Sequence, residues 1–152
     1  MDAFAGVGGN TIQFAQTCGY CVGVDIESQK CKFTTNNAKV YGLTEFEDFK
    51  VMESDFLKLP AYGDVDFGFK IDNQIFNAVF MSPPWGGTGY NKLSEYLLEH
   101  IYPDFDQVME KALNYTPNLM IFLPRNTSIS DLIKRLLPFQ SKLLGDNRLA
   151  EI

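Results

Sequence analysis

Asp2-Ala3-Phe4-Ala5-Gly6-Val7-Gly8-Gly9-Asn10-Thr11-Ile12-Gln13-Phe14-Ala15 is the stretch on which the fold turns. Gly6-x-Gly8-Gly9 reads as the junction of a strand and a helix. Glycines there let the backbone turn tightly and let a ligand approach the main chain. From Thr11 to Cys18, Ile12, Phe14 and Ala15 are apolar and Gly19 is a stop signal, which predicts a helix. The free N–H groups at the start of such a helix suit a carboxylate. Alone, the turn is a weak motif: plain loops share its composition, and the G-x-G-x-x-G spacing of dinucleotide binders is absent.

Outward from this turn, strand and helix signals alternate. Cys21 to Asp25 reads as a short buried strand, and Glu27 to Val40 as a helix closed by Tyr41-Gly42. Phe46 to Met52 alternates as a strand, and the Gly-rich, acidic Pro60 to Asn73 reads as a loop. Ile75 to Met81 predicts a strand, Asp104 to Leu113 a helix, Leu119 to Leu123 a strand stopped by Pro124, and Ser130 to Leu136 a helix. This alternation predicts a single α/β domain with a mostly parallel sheet flanked by helices. Such sheets bind ligands beyond the carboxyl ends of their strands. Glycine-rich or polar turns stand at five such ends: Gly6 to Gly9, Asp25, Asp55, Ser82 to Gly87, and Pro124-Arg125-Asn126.

Asp25 follows the glycine turn by roughly 20 residues, the spacing at which an acid accepts both hydroxyls of a ribose. Its bland alternative is a cap for the helix that follows. Ser54-Asp55-Phe56 could offer an adenine a polar edge and an apolar wall, or be an ordinary turn. These features also fit nicotinamide and flavin enzymes. Ser82-Pro83-Pro84-Trp85 tips the balance, because it resembles the motif of amino methyltransferases. An exocyclic amine shares its lone pair with its ring and is a poor nucleophile. Acceptors must hold its N–H groups so that the lone pair points at the methyl donor. Consecutive prolines fix φ and donate nothing, leaving Ser82 and the Pro83 carbonyl as candidate acceptors. Trp85 would stack on the base, with an added cation–π gain if that base is charged. Placement dominates such a transfer, and the sole histidine, His100, reads as structural or surface.

Composition limits the alternatives. The 152 residues are 45% apolar and 21% charged, with 13 Phe and 7 Tyr, so a packed core is expected rather than disorder. A net charge of −6 does not draw in long nucleic acid by bulk electrostatics. Seven acids between Glu45 and Asp66 face only Lys50 and Lys58 and read as a solvated surface. Cys18, Cys21 and Cys31 lack the partners of a zinc site and read as buried reduced thiols, so no metal is expected. No apolar run reaches the ~18 residues of a membrane span, and Asp2 with Gly8-Gly9-Asn10 spoils a signal peptide. A soluble, intracellular monomer is the expectation.

The Asp2 to Ala15 block, Val24-Asp25-Ile26, Asn36-Asn37-Ala38-x-Val40-Tyr41-Gly42, Ser82 to Gly87 with Tyr90 behind, and Phe122-Leu123-Pro124-Arg125-Asn126 resemble the trimethylguanosine synthase family, in family order. The resemblance implies a class I, Rossmann-like, S-adenosylmethionine-dependent methyltransferase. It would methylate N2 of 7-methylguanosine on RNA caps, giving 2,2,7-trimethylguanosine on small nuclear and nucleolar RNAs, and would be nuclear. It implies a cofactor set of Asp2, Phe4, Ala5, Gly6, Gly8, Asn10, Thr11, Asp25, Ile26, Asp55 and Phe56. Ser82, Pro83 and Trp85 would act at the transfer site, and Trp85 and Arg125 would hold the cap base and its phosphates. It also implies an incomplete first strand, a missing upstream helical segment and a missing C-terminal hairpin, so residues 1–152 would be a partial catalytic domain. Another exocyclic-amine methyltransferase, or a remnant that binds cofactor or cap without turnover, are the alternatives.

Overall fold

The structure, a computed structural model, describes residues 1–60, 67 and 76–144. Four short strands form the frame: β1 (Cys21–Asp25), β2 (Phe49–Glu53), β3 (Val79–Met81) and β4 (Leu119–Ile121). β1 pairs with β2 and β3 with β4, both in parallel. The N-terminal residues join the two pairs. Asp2 bridges Gly23 on one side and Phe80 on the other, again in parallel. Asp2 N–H donates to Val22 O at 2.8 Å, and Ala3 N–H to Phe80 O at 2.9 Å. The order is therefore β2, β1, the Met1–Asp2 stub, β3, β4.

The α-helices among the described residues are α1 (Gly9–Cys18), α2 (Ser28–Val40), α3 (Phe105–Leu113), α4 (Ile129–Leu136) and α5 (Gln140–Leu144), with four short 3-10 turns. Alternation along β1 divides the core, as the strand pleat requires. Cys21 packs with Ile12, Ala15, Ala38 and Phe49 under α1 and α2. Val22 and Val24 belong to the larger core with Val79, Met81, Phe105, Val108 and Met109. Local chemistry sets the helix ends. Gly19 closes α1 at φ 81°, the Asp104 carboxylate caps α3 through Gln107 N–H, and Ser128 caps α4 through Asp131 N–H.

Several boundaries differ from the sequence expectation. The strand expected over Phe46 to Met52 begins only at Phe49. Thr44 N–H donates to the Asp48 carboxylate at 2.7 Å and Asp48 N–H to Thr44 O at 2.9 Å. This closed turn puts Phe46 at φ 71° and leaves its ring exposed. The strand expected over Ile75 to Met81 begins at Val79, where the N–H finds Asn118 O; Ile75 lies outside the described residues. β4 ends at Ile121 rather than Leu123, although Phe122 N–H still reaches Met81 O at 2.8 Å. Most of the loop expected over Pro60 to Asn73 also lies outside the described residues. Of the three free thiols, Cys21 and Cys31 are buried, but Cys18, on the last turn of α1, is exposed.

Candidate active site

A cleft of about 420 Å³ opens at the carboxyl ends of the strands. Its lining gathers residues that the sequence places far apart. Phe4 and Gly6 come from the stub turn, Asp25 and Ile26 from the end of β1, Asp55 and Phe56 from the end of β2, and Ser82 from the end of β3. This is where a parallel α/β sheet places its ligand.

One acid of the cleft is held through both of its carboxylate oxygens. Asp25 accepts Gly6 N–H on one carboxylate oxygen and Glu27 N–H on the other, both at 2.9 Å. It therefore fixes the glycine turn to β1, and it does not cap α2, whose N-cap is Glu27. A carboxylate has about four acceptor directions, so each oxygen can still receive a ribose hydroxyl. Gly6 sits at φ +57° with no heavy atom within 4 Å of where a Cβ would stand. Its surface is open to the cleft, as a turn that admits a ligand requires.

The loop between Gly6 and Gly9 is pinned from α2. Thr34 Oγ1 donates to Gly6 O and Asn37 Nδ2 to Val7 O, both at 2.9 Å. At Gly8, φ +95°, a Cβ would come within 3.0 Å of Thr34 Cγ2. Asn37 thus has a structural task that its sequence position alone did not disclose. Asn10 is exposed and outside the cleft lining.

Four expected cofactor residues, Asp2, Ala5, Gly8 and Thr11, are buried and outside the lining instead. Asp2 and Thr11 are fully buried, and Thr11 Oγ1 donates to the Asp2 carboxylate at 2.7 Å. Phe4 N–H reaches the other Asp2 oxygen at 3.3 Å. Burial pushes the Asp2 carboxyl above the usual aspartate range, against the lowering effect of Thr11. Ala5 is buried as well. These residues shape the turn from behind and do not line the cleft.

At the transfer end, Ser82 and Pro84 line the cleft, while Pro83 is buried. Trp85 is half-buried outside the lining. Its ring meets Tyr90 edge-on at 5.2 Å and Phe122 at 5.4 Å with a 43° tilt. Its Nε1 is buried without a hydrogen-bond partner among the described residues. Arg125 is exposed on the turn after β4. Its neighbour Asn126 donates to Tyr90 O at 3.1 Å and Leu93 O at 2.9 Å. The segment that packs on Trp85 and the turn that carries Arg125 are thereby tied together. His100 is exposed and stacks edge-on against Tyr96.

Sequence reasoning missed Tyr102 and Pro103, which also line the cleft. They precede α3, and no strand-end signal marks them. A larger cavity, about 530 Å³, lies at the amino ends of the strands among Met1, Phe14, Tyr20, Phe80 and Met120. It is apolar and holds no predicted site residue. Among the described residues, no cluster of three or more His, Cys, Asp or Glu could hold a metal, and no helix is long and apolar enough to cross a membrane.

Comparison with known proteins identifies the lineage. The model of the family described as RNA cap guanine-N2 methyltransferase matches residues 1–145. The chain belongs to this family. The trimethylguanosine synthase of Schizosaccharomyces pombe is 34% identical over 133 residues, covering 87% of this chain and 52% of that protein. The trimethylguanosine synthase of Saccharomyces cerevisiae is 35% identical over 134 residues, covering 87% of this chain and 40% of that protein. This cap-methyltransferase family chain thus spans about half the length, or less, of these two relatives. In fold it is similar to an rRNA methylase from Streptococcus thermophilus, with a TM-score of 0.52 at 13% identity over 89% of this chain and 68% of the other. The Rossmann-like methyltransferase fold read from the sequence agrees with that likeness.

Proposed function

We propose that this chain carries the catalytic core of a cap guanosine-N2 methyltransferase that uses S-adenosylmethionine and acts on 7-methylguanosine-capped RNA. One observation carries the reading: Asp25, Asp55, Phe56 and Ser82 line a single cleft at the strand ends, in a chain of the cap guanine-N2 family. When bound, S-adenosylmethionine supplies an electrophilic methyl group on a sulfonium sulfur. The chain's own residues bind and aim. The free acceptor directions of Asp25 suit the two ribose hydroxyls, and Phe56 with Ile26 offers apolar contact to adenine. The Ser82 hydroxyl can accept an N–H of the guanine amine and turn its lone pair toward the methyl group, so orientation supplies most of the acceleration. Arg125, exposed beside this turn, suits the cap phosphates through charge-assisted hydrogen bonds. Trp85 would present its electronegative face to the cationic 7-methylguanine. A nuclear location accords with that substrate.

A second reading, binding of cofactor or cap without turnover, has one observation in its favour. Trp85 packs on Tyr90 and Phe122 outside the cleft lining. Mass-spectrometric detection of methyl transfer to 7-methyl-GTP, with GTP alongside, separates the two. Transfer to the methylated nucleotide alone is expected, and Asp25→Ala should lower it by weakening cofactor binding. A folded chain that transfers to neither nucleotide would leave the binding-only reading.

A further inference from the structure

Among the residues lining the cofactor cleft, Tyr102 has no explanation in folding. Its side chain is 79% exposed, so packing gains little from an aromatic ring there. Its backbone is nonetheless well placed: Tyr102 N–H donates to Pro84 O at 3.4 Å, which joins the segment before α3 to the Ser82–Trp85 turn. The cleft has one other large apolar side chain left open, Ile26, at 65% exposure directly after Asp25. Phe56 adds a buried apolar surface behind them.

Large apolar side chains left open on a cleft mark a binding surface. What they can hold follows from what they lack. Ile26 and Phe56 offer only apolar contact, and Pro84 and Pro103 have no N–H to give. The polar groups come from the strand ends and the start of α2: Asp25 and Glu27 after β1, Lys30 on α2, Ser54 and Asp55 after β2, and Ser82 after β3. A ligand part that is flat, aromatic and polar only along its edge fits this arrangement, and a nucleobase is such a part. The cation of the lining, Lys30, is already paired with Glu27, so a phosphate laid against Ile26 and Tyr102 would find no free partner.

We propose that Tyr102 is a cofactor-binding residue that stacks on the adenine of the methyl donor. The inference rests on the cleft being the S-adenosylmethionine site. Since Tyr102 is hydrogen-bonded to Pro84, adenine binding also braces the turn that presents Ser82 to the amine.

Isothermal titration of the full chain tests this with two ligands: S-adenosylhomocysteine, and S-ribosylhomocysteine, which lacks the base. Tyr102→Ala should weaken S-adenosylhomocysteine about ten-fold, within the range found for loss of one base-stacking ring. Tyr102→Phe should stay within about two-fold of wild type, because the ring face carries the contact. S-ribosylhomocysteine should bind all three proteins alike, and their thermal melts by circular dichroism should coincide. An alanine variant that binds S-adenosylhomocysteine as wild type does overturns the proposal, and so does one that loses both ligands in equal measure. A wild-type chain that binds neither ligand overturns the cofactor reading itself, a failure visible before any variant is made.

Discussion

Asp2 is a carboxyl group shut away from water. It bridges two strands through its backbone and holds Thr11 and the Phe4 amide through its side chain. Burial is the largest influence on it and raises its folded-state pKa above the ordinary 3.8. A raised folded-state pKa means that the group's contribution to stability is complete below the ordinary value and is lost as pH climbs through the raised one. Asp2→Asn retains an acceptor for Thr11 and abolishes the titration. In urea melts, the stability of the Asn variant relative to wild type should therefore rise as pH climbs above about 4. A difference that stays flat over that range would show the carboxyl to be ionised throughout. Asp25 is the instructive contrast. It accepts the Gly6 and Glu27 N–H groups on its two oxygens yet lines the cleft, so the same side chain can brace the turn and face a ligand.

Where α1 crosses β1, the two elements touch at backbone distance. A Cβ on Gly23 would lie 2.9 Å from Thr11 Cγ2, 3.0 Å from Thr11 Oγ1 and 3.1 Å from Ala5 Cβ. Gly23→Ala should cost about 1–3 kcal/mol, the usual range for forcing extra atoms into a packed interior. Adding Thr11→Ser, which deletes the clashing methyl and keeps the hydroxyl for Asp2, should recover part of that loss in urea unfolding. An additive double variant would mean that the clash is relieved elsewhere. At this scale the sequence was most informative where the signal was local. Gly19 ends α1 and Gly6 opens a turn because a single residue's conformational freedom decides each. The parallel α/β order follows from alternation and strand-end turns. Phe46 escaped because the Thr44–Asp48 turn overrides its strand pattern. Tyr102 escaped because only the tertiary path after Trp85 brings it to Pro84. The inward turn of Asp2 and Thr11 was equally hidden, since a cofactor contact and a buried brace call for the same residue types.

On the proposed function, the charge of the whole molecule sets how much of a capped RNA it can hold. Its 13 Lys and Arg are outnumbered by 19 Asp and Glu, for a net charge of −6. Among the described elements α2 has lysines and no acid, Lys30, Lys32 and Lys39, and Lys30 is already paired with Glu27. Affinity for long RNA comes from phosphates neutralised along a track, and it falls steeply with salt in proportion to their number. A surface of this sign offers few such contacts, so recognition should concentrate at the terminal nucleotide, where the proposed function puts Arg125 and Trp85. A capped RNA of about 20 nucleotides should then bind this chain within about three-fold of a cap dinucleotide at 150 mM salt, and its log–log salt slope should correspond to only one or two phosphates. Fluorescence titration can read both, because Trp85 is the only tryptophan and a base stacked on it changes its emission directly. A ten-fold advantage for the longer RNA, with a slope of four or more, would place a phosphate track on this acidic surface. The lysines of α2 would then be the first to replace.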